Sequence, residues 1–295
     1  MPIQITIAPP AARKRPYGSA HQHGLSLIEV LIGLVVGLLV IAAATSALMV
    51  SRGISGTVSD VSSLQQQAAY AFRVMGQQLR QAGSLYLNPN PTNKSDPTDP
   101  QIEVAFETKA DAIGVGNSFD PERDTLRGSG SGSSSNITIG YRRYQDPVFT
   151  STAPQSIARN CVGGPADSSL DQRIESIFRL NGSELQCSGN GAAAQPIVQN
   201  VAQFQVRYML QNTAIPGDTK IQYVDTVTAG QWGRVQGVEV CMVLYGSEVI
   251  NMPAGSSYTD CAGNNTDMTT LTGDRAKRLH MAFRSVYQLR SQGLL

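Results

Sequence analysis

The sequence predicts an α+β fold. A long N-terminal helix, membrane-spanning in its first half and amphipathic in its second, packs on a C-terminal antiparallel β-sheet domain. Three observations predict it. Between Glu29 and Arg52 the chain carries no charge and is largely apolar. Beyond it, Val58, Val61, Leu64, Ala68, Phe72, Met75 and Leu79 recur at steps of three and four, the period of a helix with one buried face. After residue 100 the texture changes to short alternating runs punctuated by Gly, Asn, Asp and Pro, which is how strands and turns read.

The head of the chain comes first. Upstream of Gly24 it is polar and carries Arg13, Lys14 and Arg15. His23-Gly24-Leu25-Ser26-Leu27-Ile28-Glu29 then leads into the apolar run of residues 30–50. That run is long enough to cross a hydrocarbon core of ~30 Å as a helix. A carboxylate inside such a segment costs ~2.5–3.5 kcal/mol at a bilayer centre, so Glu29 requires a reason. A plain secretory leader supplies none. Its small-residue cleavage sites would fall at Ala42-Ala43-Ala44 or Thr45-Ser46-Ala47, and it has no use for an internal glutamate. No cysteine lies near the segment, so a lipoprotein site is absent.

The Gly24/Glu29 arrangement closely resembles the processing site of type IV prepilins. The resemblance implies that a prepilin peptidase cuts between Gly24 and Leu25 and that the new N-terminus, Leu25, is methylated. It also implies that Glu29, the fifth mature residue, pairs with the N-terminal amine of a neighbouring subunit. At the positive end of the helix dipole, a carboxylate in the first turn is well placed. In a low-dielectric setting an ion pair penalises wrong register. Leu25 stands where phenylalanine is commoner, Ser26 where threonine is commoner, and the leader is long for the class.

Gly33 and Gly37 form a G-x-x-x-G step, a spacing that lets helix backbones approach closely, and we take them as a packing face. Gly53 and Gly56 each cost ~1 kcal/mol relative to alanine, so the helix is expected to loosen at residues 51–56. It then resumes, with Gln65, Gln66, Arg73, Gln77 and Arg80 on its polar face and Gly83 as its stop. From Leu25 to Ala82 it would measure ~85–90 Å at 1.5 Å per residue. The organisation expected is therefore a leader at residues 1–24, a helix at 25–85 (transmembrane at about 28–50), and a periplasmic or extracellular β-rich domain at 86–295.

In that last region, residues 88–100 read as a Pro/Asn/Asp-rich loop, 102–106 and 137–141 as strands, and 128–135 as a flexible Gly/Ser loop. Residues 174–187 read as a hairpin turning at Asn181-Gly182. Residues 201–209 and 220–224 alternate as strands, as does the latter part of the run after Trp232. Residues 280–290 fit strand or helix on pattern alone. Residues 195–208, the stretch from Trp232 to Val243 with its Trp-x-x-Val opening, and residues 278–290 resemble the C-terminal part of PilW-type minor pilins. That resemblance implies a strand for the last segment.

Four cysteines, Cys161, Cys187, Cys241 and Cys261, show no C-x-x-C pair and so no zinc pattern. In an oxidising compartment they would form two disulfides. Three connectivities are possible; the sequential one, Cys161–Cys187 and Cys241–Cys261, is the simplest. Each loop would contribute ~3 kcal/mol in the chain-entropy model.

The formal charge is +1, and loss of Arg13, Lys14 and Arg15 with the leader takes it to −2. No basic patch marks a nucleic-acid partner. Of three histidines, His21 and His23 lie in the leader, which leaves His280 alone and argues against a histidine triad or a multi-histidine metal site. Asp120, Glu122 and Asp124 match no calcium loop and read as a solvated cluster. Trp232 reads as a core or sheet-end anchor. No catalytic constellation, cofactor site or metal site is expected, and the chain reads as no enzyme.

What the resemblance implies is a minor pilin that initiates type IV pilus assembly at low copy in or at the tip of the filament, supporting twitching motility and adhesion. Its partners would be prepilin peptidase, other minor pilins, the major pilin, the inner-membrane assembly platform and membrane lipid. A minor pseudopilin of type II secretion is the alternative within this class. A membrane-anchored periplasmic binding module is the alternative outside it.

Overall fold

The structure, a computed structural model, describes residues 24, 26–83, 110–130, 135–212 and 220–289. The leader up to His23, Leu25, the expected loop at 88–100, the expected strand at 102–106 and residues 131–134 of the Gly/Ser run lie outside the described residues. The chain divides into two units, Met1–Arg52 and Gly53–Leu295.

Helix α1 is Leu27–Gln81 and is continuous through Gly53 and Gly56, so the expected loosening is not seen. Two glycines cost a helix ~2 kcal/mol together, less than the cost of starting a second helix nucleus. In the first unit residues 26–52 are exposed throughout. In the second unit α1 buries Asp60, Leu64, Ala68, Ala71, Met75 and Leu79 along one stripe. Val58, expected on that stripe, is 63% exposed, so the buried face begins at Asp60. The expected polar face, Gln65, Gln66, Arg73, Gln77 and Arg80, is exposed. Gly83 ends the helix at φ 91°, a left-handed value that glycine adopts without strain. Its N–H donates to Gly140 O at 2.9 Å, and its carbonyl accepts from Arg142 N at 2.8 Å.

The short helix α2 (Pro121–Asp124) precedes an antiparallel meander. The meander comprises β1 (Leu126–Ser129), β2 (Asn136–Arg142), β3 (Arg173–Asn181), β4 (Glu184–Gly189) and β5 (Ala192–Val198), in spatial order 1-2-3-4-5. Gly128 and Ser129, expected to be loop, pair with Ile137 and Asn136 as strand. The β3–β4 hairpin closes on Asn181↔Glu184, so its two loop residues are Gly182 and Ser183. Gly182 has φ 60°, the value a type II′ turn asks of its first central residue.

A second antiparallel sheet has the order β11-β8-β6-β7. Its strands are β6 (Val201–Asn212), β7 (Lys220–Val224), β8 (Val235–Tyr245) and β11 (His280–Gln288). A small hairpin, β9 (Ser257–Thr259) with β10 (Asn265–Asp267), lies between β8 and β11 in sequence. Residues 280–288 are thus strand. One core joins the stripe of α1 to both sheets: Leu64, Met75 and Leu79 with Ile139, Phe178, Phe204, Val240 and Met242. The architecture is α+β. At Gly76 the helix comes so close to the Tyr287 ring that a Cβ would clash, and Tyr287 Oη donates to Phe72 O at 2.7 Å.

Candidate functional site

The head of α1 is built by Ser26. Its carbonyl accepts from Glu29 N at 3.1 Å and Val30 N at 3.3 Å, and its Oγ accepts from Glu29 N at 3.3 Å. Ser26 is therefore the N-cap, and Glu29 stands three residues on, in the Ser-x-x-Glu spacing of a capping box. The carboxylate lies in the first turn, where unpaired N–H groups and the macrodipole favour negative charge. Gly24 is exposed, with open space around its Cα, and Gly33 and Gly37 likewise have nothing within 4 Å of an added Cβ. Each could admit a close backbone approach from another molecule.

The hydroxyls in the apolar run are satisfied within the helix. Thr45 Oγ1 donates to Ile41 O at 2.9 Å and Ser46 Oγ to Ala43 O at 2.9 Å. That pattern leaves no hydroxyl needing water, which a hydrocarbon environment demands. By length and apolarity the helix is long enough to cross a membrane.

In the domain, Cys161 pairs with Cys187 and Cys241 with Cys261, and none of the four is free. The first bridge ties the loop after residue 160 to β4. The second ties the β9–β10 hairpin region to β8. Trp232 opens a 3-10 turn before β8 and meets Tyr208 edge-on at 5.1 Å.

The acidic cluster differs from its sequence reading. Asp124 is 1% exposed rather than solvated, and accepts from Asp120 N at 2.9 Å. Arg123 lies at 3.1 Å and Arg173 at 3.2 Å from Asp124 Oδ1. Burial pushes its carboxyl up, but the hydrogen bonds from Arg123 and Asp120 and the charge of Arg173 outweigh that and hold it below the ordinary range. It is a structural ion-pair hub. His280 is buried between the Tyr245 and Tyr258 rings, at 5.7 and 5.0 Å. Burial lowers its pKa.

Two residues the sequence did not single out hold the domain together. Asp60, on α1, accepts from Ser247 N at 3.2 Å, Ser247 Oγ at 3.0 Å and Glu248 N at 3.0 Å. Fully buried Arg143 donates to the carbonyls of Ser169, Asp171, Ala166 and Asp167. Asp60 falls four residues before Leu64, on the apolar stripe, and that placement was the available signal. Among the described residues no group of three or more His, Cys, Asp or Glu is placed to hold a metal ion.

Two family models match the chain. Residues 168–291 match the type IV pilus-assembly protein W (PilW) family, and residues 19–45 match the prokaryotic N-terminal methylation motif. No curated protein matches. Among solved structures, a type IV-like pilin from Thermus thermophilus is similar at 12% identity over 78% of this chain and 98% of that one. The TM-score between them is 0.39.

Proposed function

We propose that this chain, with a PilW match over residues 168–291 and a prokaryotic N-terminal methylation motif over residues 19–45, is a PilW-type minor pilin that helps to start pilus assembly. The observation that carries the reading is the pairing of those signatures with the geometry of the head. An exposed glycine is followed by a serine-capped first turn that holds Glu29, and then by an apolar helix exposed over residues 26–52. Prepilin peptidase would cut between Gly24 and Leu25, and Leu25 would be N-methylated. Glu29 would then meet the N-terminal amine of a neighbouring subunit. The leader, the helix and the β-rich region would act as removable signal, membrane and filament anchor, and extracytoplasmic domain.

Before assembly the chain would sit in the inner membrane with its domain in the periplasm, in contact with lipid and with the inner-membrane assembly platform. Afterwards it would stand at low copy in or at the tip of the filament, beside other minor pilins and on top of the major pilin. From there it would support twitching motility and adhesion. The PilW match favours this over a pseudopilin of type II secretion.

Quantitative mass spectrometry of sheared pili tests the reading. This chain should be present far below the major pilin. A clean deletion should reduce surface pili and twitching while the major pilin accumulates in the inner membrane. Near-stoichiometric amounts would refute low copy, and normal piliation in the deletion would refute the priming role.

A further inference from the structure

Between α1 and the end of β5 lies a groove of about 610 Å³. Gln66, Gln67 and Tyr70 form its helix wall, and the apolar Pro196, Ile197 and Val198 followed by Gln199 and Asn200 lie opposite. The volume is within the range of small-ligand sites. No lining side chain carries a charge. Four carboxamides converge on it, each both donor and acceptor.

Three of the four amides make a side-chain hydrogen bond. Gln66 Nε2 donates to Ser62 Oγ at 3.1 Å and Gln67 Nε2 to Ser63 Oγ at 3.1 Å. Gln199 Nε2 donates to Glu184 at 3.4 Å. Asn200 sits at φ 58° with its carbonyl accepting from Tyr245 N at 2.9 Å, so the turn that carries it is fixed. Tyr70 is 47% exposed, with the Arg73 guanidinium 5.7 Å from its ring centroid.

That chemistry selects among ligand classes. An apolar ligand would strand the carboxamides without water. A phosphate or carboxylate would find no cation among the lining side chains, and the neighbouring Arg73 guanidinium is engaged over the Tyr70 ring. A pyranose offers what the groove can use: hydroxyls that both donate and accept, and C–H faces that lie on an aromatic ring. We infer that this groove binds a neutral oligosaccharide, with Tyr70 as the platform and the carboxamides reading the ring hydroxyls. The inference does not depend on the role in pilus assembly.

The test uses the full chain in a phosphocholine detergent, which carries no sugar headgroup, and saturation-transfer NMR. The probes are maltohexaose, cellohexaose and chitohexaose, with an oligogalacturonate as the charged comparator. At least one neutral hexasaccharide should receive saturable transfer. Tyr70→Ala and Gln199→Ala should each weaken it about tenfold, the scale of one lost contact, whereas Tyr70→Phe should retain it. The melting temperature of the exposed-site variants should not move. Absence of transfer to all three neutral sugars, equal transfer in Tyr70→Ala, or preference for the galacturonate would each overturn the inference.

Discussion

The two parts of α1 share a secondary structure and differ in what sustains it. Residues 30–50 carry no charge, are largely apolar and are exposed all round, and the hydroxyls of Thr45 and Ser46 are satisfied by the helix itself. From Asp60 to Leu79 the helix has one buried stripe, locked to the sheets by Met75, Leu79 and the Asp60 carboxylate. The first part requires an environment from outside the molecule. The second is a component of a folded domain. Substitutions in the two parts should therefore fail in different assays, and that contrast can be pressed from the strongest effect downward.

Met75→Ala should cost the domain about 2–5 kcal/mol, the range for a large-to-small change in a packed core. Leu39→Ala, in the exposed apolar part, should leave the domain's urea midpoint where it was. Equal losses would erase the distinction. Cys241→Ser with Cys261→Ser should cost about 2–5 kcal/mol as well, read as a lower melting temperature under oxidising conditions. Asp60→Ala should cost about 1–3 kcal/mol, because it leaves the N–H groups of Ser247 and Glu248 without their acceptor. Hydrogen exchange at those two amides would report it directly, and unchanged protection would count against the clamp.

The smallest effect concerns pH. The folded-state pKa of His280 is lowered by burial, so the folded chain binds this proton less readily than the unfolded chain does. Stability should hold above the unfolded value of about 6.5 and decline as pH falls below it. His280→Phe should flatten that part of the profile. An identical slope between pH 7 and pH 5 in both proteins would show that another group is responsible.

The parts legible in the sequence were those with a period or a sharp local rule. The 3.6-residue stripe of α1 and the strands β6 and β8 follow from repetition and the Gly83 stop from a local rule, although β8 is buried on both faces from Val240 to Tyr245 instead of alternating. What escaped had no repetition to read. Strand β5 runs Ala-Ala-Ala-Gln-Pro-Ile-Val, which neither alternates nor avoids proline; as the edge of its sheet it tolerates Pro196. Strand β1 ends inside a Gly/Ser run, and only its pairing with β2 makes it a strand. The burial of Asp124 depends on Arg173, far away in sequence, and the carbonyl cage of Arg143 on a loop two dozen residues downstream. Buried polar groups are decided by distant partners, which a local pattern cannot show. The head of the chain is the opposite case. There the Ser26–Glu29 cap is a local spacing, and the processing expected at Gly24 and the pairing expected of Glu29 rest on spacing as well.

Glu29→Ala sharpens the comparison further. It should leave cleavage, membrane insertion and domain stability intact and reduce incorporation into the filament. Wild-type piliation and motility with this variant as the sole copy would argue against the amine-pairing role. The most direct measurement of the central claim is the intact mass of the protein purified from cells. The account predicts a chain that begins at N-methylated Leu25, and an uncut precursor for Gly24→Val. A mature chain beginning near Thr45 or Leu48 would mean an ordinary secretory leader, and would contradict the pilin account at its root.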